Sequence, residues 1–167
     1  MKERINGNGF GEAVATVFRD TNLLDPQFEV GRVTELLRSP SADAFIHAAA
    51  RFTLGGGSSA LAEMASLAKP HECAKWTAIT YLPFLWRPET HMFLKPAVTR
   101  DFAARVGHSF FDDYKPELDM AVYQSLLDLA ARTEAELTEL APQDRIDVQS
   151  FIWVVGKYDE ANNAAAE

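Results

Sequence analysis

Residues 119–140 read DMAVYQSLLDLAARTEAELTEL. Tyr123, Leu126, Leu127, Ala130, Leu137 and Leu140 recur at steps of three, four and seven, the spacing at which a helix keeps one face against a core. The stretch contains neither glycine nor proline. The spacing therefore predicts the longest helix of the chain, with Pro142 ending the connection that follows it.

The same period extends in both directions. Downstream, Asp144 or Asp147 opens a last helix with Val148, Phe151, Ile152 and Val155 inward and Gly156 as its stop. Upstream, Pro96 suits the first position of a helix over Ala97 to Val106, with Phe102, Ala103 and Val106 inward and Gly107 closing it. His108 to Pro116 reads as an aromatic-rich loop. Further back, Phe10, Ala13, Val14, Val17 and Phe18 form a stripe after Gly7-Asn8-Gly9, and Asn22 to Pro26 breaks it. Val30 to Arg38 is a second helix, with Val33, Leu36 and Leu37 inward. Ser41 is placed to cap a third, which carries Ala44, Phe45, Ala48, Ala49 and Phe52. Gly55-Gly56-Gly57 is a loop from which Ser58 or Ser59 caps a fourth, with Leu61, Met64, Ala65 and Ala68 inward and Pro70 beyond its end. Residues 72–86 are apolar nearly all round, a pattern open to helix or strand. They are read as a helix stopping near Leu82, because Pro83 has no N–H to give. Trp86 to Pro96 is irregular, with His91 to Leu94 extended. The fold class is all-α, about seven or eight helices in one domain over residues 1–158, with 159–167 as a frayed tail.

Composition agrees with a folded domain: 167 residues, 47% hydrophobic and 24% charged. The net charge of −8 is unevenly spread, because residues 111–167 hold four basic and thirteen acidic groups. Nucleic-acid binding rewards lysines and arginines that displace counterions, and no dense basic run is present, so direct nucleic-acid binding is not expected. The acidic last third suits a protein partner with a basic surface. A single cysteine, Cys73, excludes an internal disulfide and fits a reducing compartment. No secretory leader is visible, and no apolar run approaches the ~20 residues of a membrane-spanning helix. The expectation is a soluble cytoplasmic protein without a membrane partner.

Sequence motifs for chemistry fail one after another. Gly7, Gly9 and Gly11 do not have dinucleotide-binding spacing, and no glycine loop ends in Gly-Lys-Ser/Thr. His71 and Cys73, with His91 and His108 far along the chain, lack the tight ligand pairs zinc requires, so neither a metal nor a cofactor is expected. Ser125 and Ser150 fall on helices with no strand-to-helix elbow. The carboxylate pairs Asp112-Asp113 and Glu134/Glu136 face water on this reading.

Two groups of residues remain. Phe110, Phe111, Asp112, Asp113, Tyr114 and Glu117 mix aromatics with acids, which is interface material. They point to a non-enzymatic helical protein-interaction module. In its sharper form it is an acidic inhibitor of a nucleic-acid-handling or bacterial defence complex. The alternative rests on Arg87, His91, Lys95, Gln149 and Trp153. Gln149 and Trp153 share a helix face, and if that helix packs beneath the loop, all five line one pocket for an anionic ligand, in a small enzyme or a binding domain. The plainer reading has Arg87 and Lys95 tying the loop to helix ends while Gln149 satisfies a loop carbonyl. A homo-oligomer is a third option.

Two stretches also carry a resemblance. One runs from Lys75-Trp76 through Tyr81-Leu82-Pro83-Phe84-Leu85 to Pro88-Glu89-Thr90-His91-Met92-Phe93-Leu94-Lys95-Pro96-Ala97-Val98-Thr99. The other is Asp144-Arg145-Ile146-Asp147-Val148-Gln149-Ser150-Phe151-Ile152-Trp153-Val154-Val155. Over residues 75–156 the chain resembles a group of uncharacterised bacterial proteins of unassigned function, in which similar segments end a longer polypeptide. The resemblance implies a shared helical domain, used here without the longer upstream region, and brings no activity and no catalytic residues.

Overall fold

Carboxylates fix three of the turns in this chain. Asp25 accepts from the backbone N–H of Gln27 and Phe28 at 2.9 and 2.7 Å, while Glu29 accepts from Asp25 N–H at 2.7 Å, which closes the wide turn Pro26–Val30. Asp119 accepts from Ala121 N–H and Asp144 from Ile146 N–H, each at 2.8 Å. Asp147 accepts from Gln143 N–H, so the last helix begins on a reciprocal pair of acids. In the computed structural model, which describes residues 8–157, these and other boundaries delimit nine α-helices. They are α1 (Gly11–Arg19), α2 (Gly31–Leu37), α3 (Ala42–Thr53), α4 (Gly57–Ala68), α5 (Trp76–Trp86), α6 (Pro96–Val106), α7 (Phe110–Asp113), α8 (Met120–Glu136) and α9 (Arg145–Lys157). No strand occurs among the described residues, and the fold is all-α as expected. The expected tail over 159–167 lies outside them.

Several expected boundaries shift, each for a local reason. Ser41 does not cap α3: its backbone is already helical, and its N–H donates to Ser39 Oγ at 3.1 Å. Ser58 and Ser59 lie inside α4, whose start is set instead by Gly56 donating to the Arg51 carbonyl at 2.8 Å. Pro83 does not end α5. It removes only its own N–H, and its carbonyl still accepts from Arg87 N–H at 2.9 Å, so the helix completes a further turn. The aromatic loop contains the single turn α7. α8 stops at Glu136, and Leu140 is 69% exposed. Gly156 does not terminate α9, which runs to Lys157. Gly107, in contrast, ends α6 in the left-handed conformation that glycine adopts at no steric cost. Val106, expected inward, is exposed.

The register of α1 differs from the expected stripe. Gly11, Ala15 and Phe18 are buried, while Phe10, Ala13 and Val17 are exposed. The helix turns its smallest residue towards the end of α2, and Glu12 reaches Arg38 through two contacts of 2.8 and 2.9 Å. Arg38 and Arg19 together hold the Glu12 carboxyl down to about 2.

One continuous core joins the helices. α5 lies nearly submerged in it, with Trp76, Ile79, Tyr81 and Phe84 among its buried residues. No helix among the described residues is long and apolar enough to cross a membrane.

Candidate functional site

The irregular stretch between α5 and α6 is where charged side chains and buried backbone meet. After α5, Thr90 and His91 both donate to the Arg87 carbonyl, at 3.0 and 2.9 Å, and this tight turn reverses the chain. Met92, Phe93 and Leu94 follow without helix or strand and are fully buried. A buried backbone N–H needs a partner. Leu94 donates to Thr80 Oγ1 at 2.9 Å and Met92 to the Tyr123 hydroxyl at 3.3 Å, so side chains replace the strand ladder that this segment lacks. Arg145 N–H donates to the Pro88 carbonyl at 2.9 Å, which seats the start of α9 on the loop.

His91 belongs to the core rather than to a pocket. Its Nε2 lies 3.0 Å from the Thr53 carbonyl and its Nδ1 2.7 Å from the Tyr123 hydroxyl. A carbonyl only accepts, so Nε2 carries the hydrogen and Nδ1 accepts from Tyr123. The hydroxyl oxygen in turn accepts from Met92, and the ring is neutral. Burial holds the imidazole below its ordinary 6.5. The sign of the pH effect follows: the folded chain resists a proton that the unfolded chain takes up near 6.5. Stability is then complete above that value and declines as pH falls below it, by up to ~1.4 kcal/mol per unit. Urea unfolding at pH 5.5 should show a lower free energy than at pH 7.5; identical values would contradict the neutral, enclosed imidazole.

The other members of this group separate into two sets. Arg87 is half-exposed and pairs with Glu89 at 3.5 Å. Lys95 donates to the Leu23 carbonyl at 2.8 Å and lies 5.6 Å from the centre of the Trp153 ring. Gln149 is buried in the wall of a cleft that also includes Leu23. Lys95 and Trp153 thus meet where α9 packs on α6, Gln149 lines the neighbouring cleft, and Arg87 and His91 have other partners. The five residues do not line one pocket. The plainer reading does not hold for Gln149 either, since its amide satisfies no loop carbonyl.

The aromatic–acidic group surrounds α7. Phe110 is fully buried and is a core residue, which removes it from any surface. Phe111 is 43% exposed, and Asp112, Asp113 and Glu117 are exposed. The Arg100 guanidinium sits 5.2 Å from the ring centres of both Phe111 and Tyr114. This arrangement fixes two aromatic edges at the surface. Asp113 accepts from Ser125 Oγ at 2.7 Å, and the hydroxyls of Ser125 and Ser109 hold its carboxyl below the usual carboxylate range. Arg100 was not apparent as part of this group from the sequence. The available signal was its place on α6, one turn past Pro96, opposite Phe111 and Tyr114 at i, i+3.

Cys73 is buried, and burial pushes its thiol up to about 11, which leaves it a poor nucleophile. Among the described residues no three His, Cys, Asp or Glu side chains come close enough to hold a metal ion together. His108 accepts from Phe110 N–H through Nδ1 at 3.0 Å and donates to Asp128 at 2.8 Å, which makes it a brace between α7 and α8. Comparison with protein-family models, with curated proteins and with solved structures finds no match for this chain.

Proposed function

We propose that this chain is a non-enzymatic helical interaction module that binds a partner protein of basic surface through the α7 turn. The observation that carries the reading is the Arg100 guanidinium held between Phe111 and Tyr114 beside exposed Asp112 and Glu117. Arginine and aromatic side chains dominate interface hot spots, and order imposed before binding lowers the entropic cost of association. Carboxylates outnumber the single stacked cation around the turn, so a basic partner segment is the complementary one. The groups best suited to catalysis by residue type, His91 and Cys73, are enclosed and otherwise engaged, which favours an interaction role over an enzymatic one.

The test uses the full chain as bait in extracts of its source cells, beside Phe111→Ser and a variant carrying Asp112→Lys with Glu117→Lys. A protein retained by the wild type should be lost from both variants by about 30-fold, the effect of removing one hot spot of ~2 kcal/mol. Both variants alter exposed residues and should melt within a degree or two of the wild type. Equal retention by all three baits overturns the proposal. The inhibitor form of the reading adds that nucleic acid and the wild-type chain compete for the retained protein.

A further inference from the structure

Gln149 is only 3% exposed, and neither its amide oxygen nor its amide nitrogen has a hydrogen-bond partner. Leaving a buried amide unpaired costs more than a typical hydrogen bond gains, so a core that needed only to be stable would hold an apolar side chain there. Gln149 forms part of the wall of a cleft of about 540 Å³, together with Val17, Asp20, Thr21, Leu85 and Ile146. That volume is within the range of sites that accept ligands. Val17 and Leu85 also border a second depression of about 250 Å³, where Val14, Ile46, Leu82 and Trp86 supply an apolar lining. The two hollows thus adjoin across Val17 and Leu85, the larger more polar and the smaller apolar, as the two ends of a surface groove.

The chemistry of the walls selects among occupants. Tyr81 and Phe84 contribute to the larger hollow, but they are 4% and 1% exposed, so they give a flat heterocycle no ring face to stack on. The carboxylate of Asp20 is exposed at the polar end, whereas Lys95 is occupied by the Leu23 carbonyl and the Trp153 ring. An anion finds little to bind there. A glutamine amide presents one acceptor and a donor side by side, the complement of a peptide C=O and N–H.

We propose that this groove binds an extended peptide segment of another protein, with a backbone amide paired to Gln149, an apolar side chain in the smaller hollow and a basic side chain on Asp20. In an extended chain, side chains two apart leave the same face, so the apolar and basic residues are separated by one. The unbranched glutamine side chain can turn its amide into the cleft by rotation among staggered conformers. This site is independent of the α7 turn.

The experiment follows the backbone amide resonances of Asp20, Thr21 and Leu85, together with the side-chain amide of Gln149 where it is present, in the ¹⁵N-labelled full chain while the capped tripeptide Ac-Leu-Ala-Lys-NH₂ is added. The Gln149 amide should shift with saturation. Ac-Leu-Ala-Glu-NH₂ should bind at least about tenfold more weakly, as one opposed charge implies. Gln149→Met keeps the length of the side chain and removes the unpaired amide. It should bind the first tripeptide at least about tenfold more weakly and yet melt about 2–4 °C higher. A lower melting temperature for Gln149→Met would mean that the amide is satisfied in the folded chain, and the proposal falls. It falls equally if adenosine shifts Gln149 where the tripeptide does not, or if no probe shifts it. The variant carrying Asp112→Lys with Glu117→Lys should keep the tripeptide response, so failure of this groove and failure of the α7 reading are told apart. Loss of the response in that variant would place the probe on α7 and overturn the groove.

Discussion

Gly11→Ala should lower the unfolding free energy by about 3 kcal/mol, at the upper end of what overpacking a core usually costs. A methyl group at this position would stand 2.0 Å from the Leu37 carbonyl oxygen and 3.2 Å from Ala42 Cβ. The obstructing atom is backbone at the end of α2, so no side chain can swing aside to relieve it. Helix propensity works the other way: alanine in place of glycine is ordinarily worth 0.5–1 kcal/mol, roughly a third of the opposing term. The clash therefore sets the sign. For a chain of this length the expected fall in melting temperature is roughly 6–12 °C. Gly156→Ala provides the control, because its methyl would meet only Val98 Cγ1 at an ordinary 3.5 Å. Melting of the Gly11 variant within 2 °C of the wild type would show that the α1–α2 contact is looser than described.

Tyr123→Phe should cost about 2–4 kcal/mol, from two buried groups stranded at once at 1–3 each. The ring keeps its volume and its neighbours Phe52, at 5.2 Å between centres, and His91, at 6.0 Å. Only the hydroxyl disappears. His91 Nδ1 then loses its donor and Met92 N–H loses its acceptor. Chemical denaturation measures the difference directly, and a change below about 0.5 kcal/mol, the size of an ordinary surface substitution, would refute the network.

Some boundaries set by local turn chemistry were legible in the sequence: Pro96 begins α6, Gly107 closes it and Asp144 caps α9 across bonds that span only a few residues. Others were not, because the expected caps at Ser41 and at Ser58 or Ser59 and the stops at Pro83 and Gly156 were overridden by the surrounding chain. The register of α1 needed knowledge of Leu37, 26 residues away in the chain, and no periodicity contains that contact. The same holds for His91. Its surroundings of charged neighbours suggested a binding loop, yet its partners are Thr53 and Tyr123, at separations of 38 and 32 residues. Lys95 and Trp153 meet because α9 packs on the start of α6, a contact between residues 58 apart in the chain that no local pattern contains. What no pattern could reveal was that the Gln149 amide finds no partner, since that is a statement about every atom around it.

The lone thiol at Cys73, buried on the connection between α4 and α5, gives this chain a built-in clock. An alkylating reagent reaches that sulfur only when the surrounding helices part, so the rate of modification under native conditions reports the frequency of opening. Each substitution discussed above can thus be timed as well as weighed, without attaching any probe to the surface.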